Sequence, residues 1–299
     1  MAIITPNLLR SLFTGYQSLF QKGLGMAPSQ YQQIASVVPS SSASNTYGWL
    51  GQFPQFREWI GERVIKDMAA HGYQIFNKDF ESTIGVDRND IEDDNLGIYS
   101  PLFLEMGRAA AAQPDELTFG LLKKGFNELC FDGQNFFDTD HPVGQAGSEV
   151  SVSNFDDGGS SPKAPWFLLD TSRAIKPLIF QQRKKPKFVS MTKEEDELVF
   201  MNKQYRYGVD SRCNVGFGFW QMAYASQQEL KTDAFDHAFD TMCSYTSDEG
   251  RPLGITPTTL VVPPQLRTKA NAIVKEKLAG GEDNPNSGIV KVVVSPWLI

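Results

Sequence analysis

The strongest periodic signal in the chain is helical, and it opens on carboxylates. From Asp87 to Ala112 the sequence reads DRNDIEDDNLGIYSPLFLEMGRAAAA. Ile91, Ile98, Leu102, Met106 and Ala109 recur at spacings of seven, four, four and three, a single apolar stripe. Asn89 with Glu92 three residues on has the form of a capping box. Asp90, Glu92, Asp93 and Asp94 suit the positive end of a helix dipole. The pattern predicts one helix over 87–112, roughly 39 Å long at about 1.5 Å per residue. Pro101 kinks that helix in this reading, and a shorter helix restarts at Pro114 and stops near Lys123, Lys124 and Gly125.

Upstream, Leu8, Leu9, Leu12, Phe13, Tyr16, Leu19 and Phe20 form an apolar strip at helical spacing, which needs a surface to dock on. Ala27–Tyr47 is rich in Ser, Gln and Pro and reads as an extended linker. Strip and linker together make either a loose leader or an arm that reaches a neighbour. Residues 48–86 hold two β-like pieces, Glu62–Lys66 and Tyr73–Val86, around a bend at 69–72. Phe80, Ser82, Ile84 and Val86 alternate with polar or small residues, as in a half-buried strand. Charges of both signs lace this ribbon, and two strands alone are marginally stable, so it too needs a surface.

Beyond a Gly-, Ser- and Asp-rich stretch at 145–165, the chain to Tyr224 is β-rich: WFLLD, AIKPLIF, KFVSM, ELVFM, QYRYGV and NVGFGFWQMAYA. The glycines of GFGF indicate close backbone approach. Ala234–Tyr245 reads as a helix with Phe235, Phe239 and Met242 inward and His237 off the stripe. Strand Thr259–Val262, helix Gln265–Leu278 and strand Ile289–Val294 complete an α+β pattern.

Composition narrows the function classes. The 299 residues are long enough for one large core or two ordinary ones. A net charge of −7 argues against a broadly basic, nucleic-acid-binding surface. Residues 1–57 contain no Asp or Glu, only Arg10, Lys22 and Arg57 as charges; removing those three leaves 25 basic against 35 acidic residues, a balance of −10 for the body. An acid-free amphipathic leader is also a feature of mitochondrial transit peptides, but Gln and Ser run on past any transit length. Cys130, Cys213 and Cys243 are odd in number and far apart, so a reducing compartment is the default. No apolar run reaches the ~18 residues of a membrane span.

Candidate chemistry is sparse. Asp138, Asp140 and His141 are the best metal-like group, and a metal-dependent hydrolase built on them is the alternative enzyme reading; the same Asp-His-Pro also makes an ordinary turn. GFGF lacks the strand–loop–helix context and the following GK of a nucleotide loop. No HExxH, GxSxG or paired CxxC occurs. Arg183, Lys184, Lys185 and Lys187 are followed by Glu194, Glu195, Asp196 and Glu197. This pair of runs is either a solvated hairpin tip or a complementary contact between copies, with nucleic-acid binding by the basic half ranked behind both.

Four strings carry a resemblance: WIGERVIKDMAAHGYQIFNKDFESTIGVDRNDIEDDNLGIY, FDGQNFFDTDHP, TPTTLVVPPQLRTKA and VVVSPWL. From about Trp49 onward the chain resembles the major head subunits (T proteins) of Mu-like phages. That resemblance implies the Hong Kong 97-type capsid fold, α+β, with an N-terminal arm at 1–48, an extended β loop at 49–86, a mainly peripheral domain at 87–249 with a spine helix at 87–112, and a mainly axial domain at 250–299. It implies a non-enzymatic subunit, without cofactor, that self-assembles as pentamers and hexamers into an icosahedral head around double-stranded DNA. Scaffold and maturation protease, a portal at one vertex, assembly in the host cytoplasm and DNA held without sequence specificity belong to the same implication, with no membrane involved. The candidates for subunit interfaces are then Arg57, Glu62, Arg63, Lys66, Lys78 and Glu81 on the ribbon, and Arg183, Lys184, Lys185, Glu194 and Glu195 in the paired runs. No position matches the Lys–Asn cross-link of some relatives.

Overall fold

The computed structural model describes residues 3–50, 72–93, 95–145, 147–193, 195–275 and 283–299. In chain order come α1 (Pro6–Leu24), α2 (Tyr31–Ile34), β1 (Ala35–Pro39), β2 (Ser44–Thr46), β3 (Gln74–Phe76), β4 (Lys78–Asp87), α3 (Arg88–Glu92) and α4 (Ser100–Lys124). Then follow β5 (His141–Val143), β6 (Val150–Val152), β7 (Phe155–Asp156), β8 (Trp166–Leu169), β9 (Leu178–Met191), α5 (Glu197–Asn202) and β10 (Gln204–Phe217). The chain closes with β11 (Ala223–Ser226), α6 (Thr232–Cys243), β12 (Thr259–Val262), α7 (Arg267–Val274) and β13 (Lys291–Val294).

Two sheets of four and five strands organise two apolar cores. The first has the order β1-β9-β10-β4, and the second β13-β12-β8-β11-β7. The three central strands of the five-stranded sheet are buried on both faces: all four residues of β8, of β11 and of β12 are buried, in keeping with their apolar runs. Phe235 and Met242 of α6 and Ala270 and Ile273 of α7 join that core. The four-stranded sheet is one-sided. Along β10, Tyr205, Tyr207 and Val209 face inward, joined by Phe188 of β9, against α1 and α4.

The long helix differs from the sequence reading at both ends. Asp90 and Glu92 belong to the separate short α3, with Asp93 at its C-terminal end, and Asp87, not Asn89, caps its start by accepting the Asn89 amide at 2.8 Å. A 3-10 turn at Leu96–Tyr99 follows, and α4 starts only at Ser100, with Pro101 in its first turn, where the absent amide has no partner to lose. The helix then runs 25 residues, straight through Pro114, so no second helix restarts there. The predicted stripe also shifts: Ile98 and Leu102 are 54% and 51% exposed, while Phe103, Met106, Phe119 and Leu122 are buried. At about 37 Å, α4 is long enough to serve both cores, with Phe103 and Met106 in one and Phe119 and Leu122 in the other.

The leader docks on its own chain. Thr5 accepts the Leu8 amide at 3.2 Å and starts α1. Tyr16 stacks on Phe103 with centroids 4.1 Å apart and meets Tyr207 edge-on at 5.1 Å. Gly23 and Gly107 let α1 and α4 touch backbone to backbone; a Cβ on Gly107 would run into the Phe20 carbonyl. The expectation of an arm lacking its own support is therefore corrected for α1. The Ser-rich linker is corrected as well. It contains α2, whose start is capped by the buried Asp115 carboxylate, accepting the Gln30 amide at 2.9 Å and the Tyr31 amide at 2.7 Å. It also contains β1, parallel to β9, and β2, paired with β3.

The described half of the ribbon is likewise supported at home. All ten residues of β4 pair antiparallel with Gln204–Cys213 of β10. The proposed Glu62–Lys66 strand lies outside the described residues. Finally, ELVFM is not a strand but α5, a short helix at the tip between β9 and β10.

Candidate functional site

The open face of the four-stranded sheet carries a charged grid. Residues directly opposite in a ladder share a face. Asp210 lies opposite Lys187 on one side and Glu81 on the other; Arg212 lies opposite Lys184 and Asp79. Lys184 forms an ion pair with Asp210, and Arg212 with Asp79 at 3.2 Å. Glu81 accepts from Thr83 at 2.9 Å; Lys78, exposed at the start of β4, lies opposite buried Cys213 and so on the other face of the ladder, outside this grid. Exposed pairs of this kind stabilise little, about 0–1 kcal/mol each, but they set which face a partner meets and in what register. β4 is the sheet's edge, and its charges discourage indiscriminate strand pairing. Arg57, Glu62, Arg63, Lys66 and Glu194 lie outside the described residues.

The second charged feature follows β9 to its tip. Between Asp210 and Arg212 the register skips, so that Lys185 and Pro186 bulge opposite Ser211. The bulge tolerates Pro186 inside a central strand, where a missing amide would otherwise break the ladder. Arg183, Lys184, Lys185 and Lys187 are all exposed around it. At the far end, Glu195 and Glu197 are exposed beside α5, and Asp196 accepts the Lys193 amide at 2.9 Å. Val199 anchors α5 to the core, while Phe200 and Met201 stand 80% and 69% exposed. Sequence reasoning missed these two by taking ELVFM for core strand; Asp196-Glu197 ahead of the run was the available helix-start signal.

The metal-like group does not converge. His141 is fully buried, its ring stacked on Trp220 with centroids 4.0 Å apart. Nδ1 lies 2.7 Å from Asp132 Oδ2 and Nε2 lies 3.2 Å from Asn154 Oδ1. Asn154 is fixed in turn, accepting the Asp138 amide at 2.9 Å and donating to the Phe136 carbonyl at 2.8 Å. Asp138 accepts from the backbone of Asn135 and Thr139, and exposed Asp140 is held above its ordinary pKa by its hydrogen bond to Asp138. Neither carboxylate meets the imidazole as co-ligand, which corrects the Asp138/Asp140/His141 reading. The group that does gather is Cys130, Asp132 and His141, with ligand atoms within 4.8 Å of one another. Its atoms are engaged with each other: the Cys130 thiol donates to Asp132 Oδ1 at 3.0 Å. Burial first, and then the Asp132 charge, push that thiol far above its usual range, which accords with its place as donor to Asp132. Burial would raise Asp132, but hydrogen bonds from His141 and Cys130 outweigh it and hold the carboxyl below its ordinary value. This is a satisfied polar plug within the apolar core, and its chemistry is structural.

The described residues form a two-core α+β subunit with a charged ladder on its open face and a buried polar cluster, and its likeness to solved capsid subunits makes it a shell-building protein of the Hong Kong 97-type capsid fold. The chain belongs to the Mu-like prophage major head subunit gpT family, whose pattern matches residues 9–298. It is 49% identical over 304 residues to the major capsid protein of Escherichia phage Mu, covering 99% of this chain and 100% of that one. Its structure is similar to the procapsid of bacteriophage JBD30, with TM-score 0.86, 60% identity, and coverage of 98% of this chain and 100% of that one. The JBD30 capsid gives TM-score 0.80 at 45% identity, with both chains covered to 100%.

Proposed function

We propose that this chain is the repeating unit of an icosahedral phage head, assembling as pentamers and hexamers around double-stranded DNA. The observation that carries the reading is its likeness, over essentially the whole chain, to subunits of both a procapsid and a capsid. Assembly in the host cytoplasm with a scaffold and a maturation protease, and a portal at one vertex, fit such a pathway. The ladder residues Glu81 and Lys184, Lys78 at the start of β4, the exposed runs at Arg183, Lys185 and Glu195 with Glu194 of the same acidic run, and the ribbon residues Arg57, Glu62, Arg63 and Lys66 are the proposed contact set between copies.

In the same reading, residues 1–48 are the arm, 49–86 the extended loop, 87–249 mainly the peripheral domain and 250–299 mainly the axial domain. Sheet sharing supports counting β7, β8 and β11 with the axial segment, since they pair directly or through one another with β12 and β13. The body's excess of acid suits a DNA container whose wall must not hold its contents. Electron microscopy of the purified chain, with and without scaffold, tests the proposal: capsomers, tubes or closed shells are expected. A strictly monomeric species at high concentration under both conditions overturns it.

A further inference from the structure

We propose that His141 is carried as an imidazolium, protonated on both ring nitrogens, in a buried ion pair with Asp132 that staples the 130–141 segment to the five-stranded sheet. Each ring nitrogen faces an oxygen placed to accept. On the Nδ1 side, Asp132 Oδ2 lies at 2.7 Å, while Oδ1 of the same carboxylate already takes the Cys130 thiol at 3.0 Å and the Gln134 amide at 3.1 Å. Three donors on one carboxyl group favour its ionised form, in keeping with a value held low in spite of burial. On the Nε2 side, Asn154 Oδ1 stands at 3.2 Å. Asn154 cannot turn its nitrogen there instead. Its Nδ2 donates to the carbonyls of Phe136 at 2.8 Å, Ala223 at 3.3 Å and Trp220 at 3.4 Å, and its Oδ1 also accepts the Asp138 amide at 2.9 Å. Rotating the amide would bring its NH2 against the Asp138 N–H and its oxygen against three carbonyls. A neutral imidazole has one N–H, so beside an ionised Asp132 one of its two contacts would set lone pair against lone pair.

A charge is tolerated inside a protein when it is paired and its donors are used, and both conditions hold. The ring is fully buried and lies flat on Trp220, with 4.0 Å between centroids and 10° between planes, a placement that suits a cation over an indole face. The other titratable groups around it are engaged elsewhere. Asp138 accepts the Asn135 and Thr139 amides, Asp140 is exposed, and Tyr245, edge-on to Trp220, donates to the Ser153 carbonyl. Asn154 passes the anchorage on to the sheet: its main chain donates to the Asp138 carbonyl at 3.1 Å and accepts from Ala225 of β11 at 3.0 Å. The proton on Nε2 thus joins the turn that carries Asp132 to β11 through one side chain.

Nitrogen-15 NMR of the full chain tests the charge directly. The sequence has three histidines, so His71→Gln with His237→Gln leaves His141 as its one imidazole. The spectrum of this variant, labelled at histidine, is recorded at about pH 7.5, where a free imidazole with a pKa of about 6.5 is roughly nine-tenths neutral. Both ring nitrogens should resonate as protonated nitrogens, in free subunits and in assembled particles alike. Adding Asp132→Asn keeps the shape and removes the negative charge, and Nδ1 should then move to the position of an unprotonated ring nitrogen. One protonated and one unprotonated nitrogen in the single-histidine chain overturns the imidazolium. A spectrum that Asp132→Asn leaves unchanged overturns the ion pair as its cause. Circular dichroism checks that each variant is folded, and if Asp132→Asn is not, the single-histidine spectrum decides alone.

Discussion

At the scale of single residues, His141 shows how neighbours in sequence and neighbours in space part company. Asp140 and His141 are adjacent, yet along an extended backbone successive side chains point to opposite sides; His141 goes into the core and Asp140 into solvent. The true partner, Asp132, arrives from nine residues upstream through the turn at Gly133, whose positive φ of 87° suits glycine. Asp132→Ala strands two buried donors and should cost about 3 kcal/mol, whereas Asp140→Ala should be nearly neutral; thermal melts of the two variants check the contrast. Because the folded Asp132 pKa lies below its unfolded value, its contribution is complete above the unfolded carboxyl's pKa of about 4 and is lost as pH falls through the lower folded value. The fall in Tm on acidifying below pH ~4 should therefore be shallower in Asp132→Asn than in the parent.

At the scale of elements, the periodic strands and helices were readable and their boundaries were less so. β12 and α6 follow directly from apolar runs and stripe spacing. The start of α4 did not, because Asp87 and Asp90 start the separate short α3 instead, and because a proline kinks a helix or opens one depending on what precedes it. The crossing of α1 over α4 left a fainter trace, two glycines eighty-four positions apart. Gly107→Ala should force those helices apart and cost about 2 kcal/mol; a lowered Tm, with faster proteolysis of the leader, is the expected readout, and an unchanged melt would contradict the close crossing.

At the scale of the whole molecule, the amphipathic leader announced that it needed a surface, but periodicity cannot say whose surface. Here it is the chain's own: Tyr16 and Phe20 of α1 share a core with Phe103, Phe188 and Tyr207. Deleting residues 1–26 should therefore yield insoluble or aggregated protein, measured as the soluble fraction on gel filtration, because the aromatic face beneath α1 would be laid open. A soluble, monodisperse truncated subunit would show that the leader is dispensable to the fold. The charged ladder was legible as mixed-sign residues, whereas its arrangement into opposed rows depended on the β9–β10–β4 register, which only long-range pairing sets. The family, by contrast, was legible from its longer strings, since those fix the order of all the later elements at once.

Pro114 gives the rod of the molecule an uneven stiffness. It has no amide to offer the carbonyl one turn earlier, and it falls between the part of α4 seated in one apolar cluster and the part seated in the other. Bending there strains one rung fewer than bending elsewhere in the helix interior. When a growing lattice forces its members into slightly different curvatures, the flexure should gather at this point, and each cluster can tilt with its packing intact.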